Sequence, residues 1–273
     1  MQTIKTNNGI DVPMLGYGVF KVADGDQCYE SVKTALSMGY RHIDTAAIYG
    51  NEESVGRAIK DSGVPREDIF LTTKVWNEIQ RTGNVQDAFT ESLRKLGIDY
   101  IDLYLVHWPV PERYVNTWLE LEKIYTTGKA RAIGVSNHHI HHLKEIEKVW
   151  SIVPVMNQIE LHPELTQEPL VDYCKEKGII PQSWSPLGAA KNDLLTNPVL
   201  VNLAKKYNKT TAQVILRWNI ERGIVTIPKS VTPSRIQENI DIFDFKLTPE
   251  EVSQINSLNK DLRTGSSPDE FTF

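Results

Sequence analysis

Cysteine is scarce in this chain. Cys28 and Cys174 are the only two in 273 residues, and neither sits in a C-x-x-C or zinc-ligand spacing. That excludes a disulfide scaffold and leaves two reduced thiols as the expectation. Long apolar runs are missing as well. None approaches the ~20 residues of a membrane span, and Met1–Asn8 has no apolar core of the signal-peptide kind. A soluble, cytoplasmic protein is expected. Positive charge is not in excess: 30 Lys and Arg face 35 Asp and Glu, a formal net charge of −5. Neither nucleic acid nor an anionic membrane is an expected partner. A Gly-x-Gly-x-x-Gly turn between strand and helix is also absent. Gly16-Tyr17-Gly18 lacks the third glycine and runs into Val19-Phe20, which counts against a doubly wound dinucleotide-binding sheet. No linker, repeat or low-complexity stretch divides the chain, so one domain over residues 1–273 is the economical reading.

What is present is an alternation. A short hairpin opens the chain, with Thr3-Ile4-Lys5 and Ile10-Asp11-Val12 either side of an Asn8-Gly9 turn. It is placed to act as a plug or cap. Eight strand-like runs follow: Met14–Gly18, Arg41–Asp44, Ile69–Val75, Ile101–His107, Ala130–Ser136, Val155–Leu161, Ile179–Ser185 and Ile224–Pro228. Between and after them lie runs with apolar residues at helical spacing: Asp26–Met38, Asn51–Ser62, Val85–Leu96, Val115–Thr127, Ile140–Trp150, Gln167–Lys177, Thr210–Glu221 and Pro233–Asp241. Gly39, Gly63, Gly97, Gly128, Gly178 and Gly223 stand where helices should stop. A capping box, Thr248-Pro249-Glu250-Glu251, opens one more helix, and Gly265–Phe273 reads as an irregular tail. Eight strands alternating with helices predict an α/β fold, a (β/α)₈ TIM barrel with an N-terminal β-hairpin cap and a short C-terminal tail.

In such a barrel the residues just past each strand's carboxyl end face the functional mouth. The second strand delivers Asp44, and Tyr49 follows. The third ends at Lys74, a charge that is costly in an apolar strand unless paired, with Asp44 as its natural counter-ion. The fourth ends at His107. An ammonium ~4 Å from a phenolate stabilises it by roughly 4 kcal/mol at an effective dielectric of about 20. Desolvation offsets part of that. The reading therefore expects the Tyr49 phenol to be lowered by a unit or two from its ordinary value of about 10, enough to serve as a general acid. Asp44 would hold Lys74 charged, and His107 could orient a carbonyl oxygen.

These residues carry a resemblance. Gly39-Tyr-Arg-His-Ile-Asp44-Thr-Ala, Tyr49-Gly-Asn-Glu52, Thr73-Lys74, Leu105-Val-His107-Trp108-Pro109, Ile133-Gly-Val-Ser136-Asn137, Asn157-Gln158, Ser185-Pro186-Leu187-Gly188 and Ile227-Pro-Lys229-Ser230 together resemble the aldo-keto reductases over essentially the whole length. The resemblance implies a (β/α)₈ barrel, NADPH/NADP⁺, and reduction of aldehydes and ketones. It implies Asp44, Tyr49, Lys74 and His107 as a catalytic tetrad with Tyr49 as proton donor. It gives Ser136, Asn137 and Gln158 to the nicotinamide carboxamide, and Trp184, where relatives often carry Tyr, to stacking on the nicotinamide ring. Ser185, Pro186, Leu187 and Gly188 would run along the pyrophosphate. Ile227, Pro228, Lys229, Ser230, Val231 and Arg235 would form the segment at the last strand, with Lys229, Ser230 and Arg235 holding the 2′-phosphate. Glu238 and Asn239 would contact the adenine. Hydrogen bonds to charged groups, at ~1.5–3 kcal/mol each, would favour NADPH over NADH by roughly 10²-fold or more.

By the same resemblance Phe20, Trp76 and Trp108, with His107, line the substrate pocket. Phe20 replaces a frequent Trp, only Val110–Tyr114 separates the fourth strand from its helix, and the C-terminal segment is short. An open pocket for small or varied carbonyls is expected: 2-oxoaldehydes, aromatic aldehydes or keto sugar acids. In this the chain is similar to short microbial members, 2,5-diketo-D-gluconate and methylglyoxal reductases among them. A monomer is expected. His138-His139-Ile140-His141-His142 invites a metal reading, but no carboxylate or thiol cluster completes a site. It reads as a solvated helix start, and no metal is expected. Position 138 is often Phe in relatives, so His138 is expected to loosen packing beside the nicotinamide. Two rival functions remain: a Schiff-base aldolase or lyase using Lys74, and a nicotinamide-binding sensor with little turnover.

Overall fold

A computed structural model describes residues 2–190 and 193–273, without the side chain of Ala190. Strands β1 (Thr3–Lys5) and β2 (Asp11–Pro13) form the expected antiparallel hairpin. Its turn needs Gly9, whose φ of 88° lies in the region that favours glycine. Eight parallel strands then follow in sequence order. They begin with β3 (Tyr17–Gly18), α1 (Asp26–Ser37), β4 (His42–Asp44), α2 (Glu52–Asp61) and β5 (Phe70–Val75). The chain continues through α3 (Asn77–Thr82), α4 (Val85–Leu96), β6 (Ile101–Val106), α5 (Tyr114–Thr126), β7 (Ala130–Ser136), α6 (Ile140–Glu147) and β8 (Met156–Glu160). It finishes with α7 (Glu168–Glu176), β9 (Ile180–Trp184), α8 (Pro198–Tyr207), α9 (Thr211–Glu221), β10 (Val225–Thr226), α10 (Pro233–Ile240) and α11 (Pro249–Asn256).

The first and last barrel strands are shorter than the sequence suggests, yet backbone bonds continue where they meet. The Gly16 N–H donates to Thr226 O at 2.9 Å, the Thr226 N–H to Met14 O at 2.9 Å and the Gly18 N–H to Pro228 O at 3.1 Å. These bonds close the (β/α)₈ barrel. Gly16 permits the approach, since a Cβ there would lie 2.8 Å from Ile227 Cγ2 and 2.9 Å from the His42 ring.

Two apolar cores result. The larger lies between strands and helices. It holds the helix faces carrying Leu36, Val55, Phe89, Ile146, Leu170 and Leu200, with the indoles of Trp118 and Trp218. Each buried indole N–H has an acceptor, Glu122 Oε1 at 3.1 Å and Asn256 Oδ1 at 2.8 Å. The smaller core fills the amino-terminal end of the barrel: Phe70, Leu103, Leu105, Ala132, Val155, Met156, Ile180 and Val225. Val12 of the hairpin is buried among them, with Ile4 and Ile10 packed against the cluster. The hairpin is the plug that the sequence suggested. Asn7 Nδ2 donates to Pro154 O at 3.1 Å and Gly178 O at 3.2 Å, and Asn8 Nδ2 to Arg131 O at 3.0 Å.

Two helices were not expected. α3 has only six residues, too few for a period to show. α8 precedes α9 with no strand between them, which breaks the simple alternation. α6 stops at Glu147 rather than Trp150, where the N–H groups of Val149 and Trp150 both turn back onto Ile146 O. The capping box at Thr248 is formed as predicted. Beyond α11 the chain returns across the barrel mouth: the Lys260 and Leu262 N–H groups donate to Glu164 O, and those of Thr264 and Gly265 to the Glu160 carboxylate. Among the described residues, no helix is long and apolar enough to cross a membrane.

Candidate active site

Parallel register brings the strand ends together. Gly18 pairs with Asp44 and Asp44 with Thr72, while Lys74 pairs with Leu105 two residues before His107. Lys74 is wholly buried. Its Nζ donates to Asp44 Oδ1 at 2.6 Å and to Thr45 O at 2.8 Å. The same ammonium stands 5.1 Å from the Tyr49 ring centroid. The His107 ring lies edge-on to Tyr49, centroids 5.8 Å apart. All four predicted tetrad residues therefore share the mouth.

Burial pulls the Lys74 ammonium below its ordinary range, and Asp44 opposes that pull. Burial, with Lys74 nearby, holds the His107 imidazole well below its ordinary value. His107 is thus neutral at pH 7, and its Nδ1 is buried with no partner among the described residues. The expected lowering of the Tyr49 phenol is corrected by the structure. Burial first, and the Asp44 carboxylate second, push it well above its ordinary value. Lys74 is engaged by Asp44, so its charge does less for the phenol than the sequence reading supposed. The Tyr49 hydroxyl makes no hydrogen bond among the described residues.

Supporting residues that the motif reading named without a role are now placed. The Asn51 amide accepts from Thr45 Oγ1 at 2.8 Å and donates to Val19 O and Val22 O, tying the loops after β3 and β4. Glu52 is buried and accepts from Thr73 Oγ1 at 2.7 Å. Gln182 was missed altogether. Its Oε1 accepts from Gln158 Nε2 at 2.8 Å, and the same Nε2 reaches Asp44 Oδ2 at 2.7 Å. Its only sequence signal was a polar residue, next to Ser183, within the β9 strand.

Around this centre lie the other predicted residues. Ser136 Oγ donates to Gln158 O at 2.8 Å, and Asn137 Nδ2 to His107 O at 3.0 Å. Trp184 Nε1 donates to Asn137 Oδ1 at 2.8 Å. Ser185 leaves β9 with a left-handed φ of 48°. Pro186 and Gly188 are buried, and Leu187 is half-buried. On the β10 side Ile227 and Pro228 are buried. Lys229 and Arg235 are exposed and have no carboxylate partner among the described residues. Val231 is partly exposed, and Ser230 accepts from the Thr232 N–H. Asn239 is buried. Glu238 has an internal partner as well, since its Oε1 accepts from Thr210 Oγ1 at 2.7 Å.

Phe20 contacts Tyr49 with centroids 5.0 Å apart, and Trp76 contacts His107 at 5.1 Å. The short tail does not leave this side open, as the sequence suggested. The Phe273 ring stacks on Trp76 at 5.7 Å and 3°, and Phe271 lies 5.1 Å from Trp108. The unexpected α3 anchors it, through Asn77 Nδ2 and Arg81 donating to Phe273 O. The histidine run is also corrected. His138 is wholly buried, with Nδ1 2.8 Å from Ser136 O, and His142 is largely buried. They are not a solvated helix start.

A closed barrel of parallel strands with an Asp, Tyr, Lys and His at its mouth defines a class of barrel oxidoreductases, and comparison with known proteins gives the same class. The aldo/keto reductase family model matches residues 14–260. The chain is 55% identical over 271 residues to glyoxal reductase of Bacillus subtilis, covering 99% of this chain and 98% of that one. It is 44% identical over 270 residues to methylglyoxal reductase DkgA of Escherichia coli K12, covering 98% and 97%. A Bombyx mori aldo-keto reductase solved in complex with NADP superimposes with a TM-score of 0.90 at 40% identity, covering 98% and 96%. The chain belongs to the aldo/keto reductase family, and it is an oxidoreductase with NADP(H) as cofactor. The residues present fit that cofactor. Two exposed cations, Lys229 and Arg235, with no carboxylate partner among the described residues suit a phosphate, and a cluster of hydroxyl and amide groups around Ser136, Asn137 and Gln158 suits a carboxamide.

Proposed function

We propose that this chain reduces small aldehydes and ketones, 2-oxoaldehydes foremost, to alcohols with NADPH. The carrying observation is Lys74 Nζ, 2.6 Å from Asp44 and 5.1 Å from the Tyr49 ring, beside a neutral His107. The cofactor, when bound, supplies a hydride to the carbonyl carbon. The chain's own residues handle the oxygen. His107, an imidazole rather than an imidazolium, donates a hydrogen bond that orients the carbonyl. Tyr49 gives its hydroxyl proton to that oxygen as negative charge develops there. A raised phenol pKa keeps the proton in place until then, and an alkoxide is a stronger base than a phenolate, so the transfer runs downhill. Asp44 fixes Lys74 so that its charge faces the phenolate left behind.

Ser136, Asn137 and Gln158 would hold the carboxamide, and Trp184 would give a flat face to the nicotinamide. Its indole is already fixed by Asn137. Ser185 to Gly188 would follow the pyrophosphate, and Ile227 to Val231 with Arg235 the adenosine phosphate. Glu238 and Asn239 would meet the adenine. Phe20, Trp76 and Trp108 would wall the substrate. The relatives named for glyoxal and methylglyoxal reduction support a small substrate. A Schiff base on Lys74 is disfavoured, because its nitrogen is fully buried and already holds Asp44 and Thr45. We also read the chain as one domain, monomeric and cytoplasmic.

The test is NADPH oxidation, followed by absorbance, with methylglyoxal, glyoxal, a nitrobenzaldehyde, a keto sugar acid and an aldose, alongside an NADH series. Turnover with NADPH and weak turnover with NADH are expected. Tyr49→Phe should lower turnover by roughly 10²–10⁴ while NADPH binding, read by tryptophan fluorescence, stays within about twofold. A Tyr49→Phe enzyme at wild-type rate overturns the assignment.

A further inference from the structure

We propose that His139, His141, His142 and Asp269 bind a divalent transition-metal ion of the zinc type, and that the ion fastens the C-terminal tail across the barrel mouth. The sequence reading set the histidine run aside because no carboxylate or thiol cluster completed a site. The fold brings one from the tail. Asp269 Oδ2 lies 2.9 Å from His139 Nδ1, and its Oδ1 lies 3.1 Å from His141 Nε2 and 3.6 Å from His142 Nε2. One ligand atom from each of the four residues falls within 4.8 Å of all the others. A tetrahedral ion with bonds of about 2.0–2.2 Å holds its ligands roughly 3.5 Å apart. A small contraction therefore suffices, and Asp269 and His141, both exposed, can supply it.

Three imidazoles and one carboxylate suit zinc, nickel or copper, and do not suit magnesium or calcium, which take oxygen ligands. Loading has a definite local cost. The far nitrogens of two rings must then carry protons. His142 Nδ1 now accepts from the His139 N–H, and His139 Nε2 faces an Arg263 nitrogen at 2.8 Å. Both contacts are given up, though Arg263 keeps Gln167 Oε1 at 3.1 Å. The consequence lies two residues further on. Asp269 precedes Phe271 and Phe273, the rings that lie on Trp108 and Trp76. An ion on Asp269 and α6 would hold this wall of the mouth in place, adding a tie to those the tail already makes with Glu160, Glu164, Gln167 and α3.

The experiment uses the untagged full chain, stripped with a chelator and titrated calorimetrically with ZnCl₂, with MgCl₂ as control. About one Zn²⁺ per chain is expected and no Mg²⁺. His141→Ala and Asp269→Asn should each weaken Zn²⁺ binding at least about tenfold. Both positions are exposed and outside the tetrad, so folding and basal turnover should survive. Zn²⁺ should also slow proteolytic cleavage within residues 262–273 of the wild type and leave cleavage of His141→Ala unchanged. No Zn²⁺ uptake, or equal uptake by both variants, overturns the site. Uptake at this site with unchanged tail cleavage overturns the fastening.

Discussion

The two ends of the barrel are made from the same eight strands and could hardly differ more. The amino-terminal end is sealed by the hairpin with aliphatic and aromatic side chains around Val12. The carboxyl end gathers a buried ammonium, a carboxylate, a neutral imidazole and amides that hold one another by hydrogen bonds. One end gains stability from burial; the other carries buried charge that burial alone would expel. The difference says which substitutions should touch the chemistry proposed for the mouth.

Lys74→Met is the harshest way to break that contrast. It leaves the Asp44 carboxylate buried without its cation, at a cost of about 3–5 kcal/mol, and turnover should fall by roughly 10²–10⁴. Denaturant unfolding and steady-state rates check both. Val12→Ala tests the opposite end. It should cost about 2 kcal/mol and leave kcat within twofold; a tenfold loss of kcat at unchanged stability would dissolve the distinction.

Acidification sharpens it. His42 near the sealed end and His107 at the mouth are both buried and both held below their ordinary value, first by burial. Below about pH 6.5 the unfolded chain takes up protons that the folded chain refuses. Stability therefore falls as pH falls through that value, by up to roughly 1.4 kcal/mol per pH unit for each group. His42→Gln should flatten the thermal-stability profile and spare turnover, whereas His107→Gln should alter both. The smallest effect belongs to Asn7→Ala, which removes a part-buried bond to Pro154 O and an exposed one to Gly178 O and should cost about 1 kcal/mol with no kinetic change.

Legibility followed distance along the chain. Strand order, the plug and the meeting of Asp44, Tyr49, Lys74 and His107 at one mouth could be read because each depends on a local pattern: apolar runs, a turn dipeptide, a polar residue at a strand's end. What escaped depends on residues meeting across the fold. Gln158 and Asp44 are 114 positions apart, and His139 and Asp269 are 130 apart. The irregular tail has no period, so nothing announced that Phe273 would return to Trp76. The phenol's upward shift escaped for another reason. A charge beside Tyr49 is visible in a motif, but the depth at which the ring is buried is not.

The hairpin's anchors also set a clock. Asn7 emerges 171 residues before Gly178, the residue whose carbonyl it must find. At a synthesis rate of about 5–20 residues per second, that is a delay of roughly 10–35 s. During it the plug's apolar residues have no barrel to enter. The hairpin, made before the strands it plugs, is among the last parts able to dock, and the interval is one in which a nascent chain would gain from a chaperone.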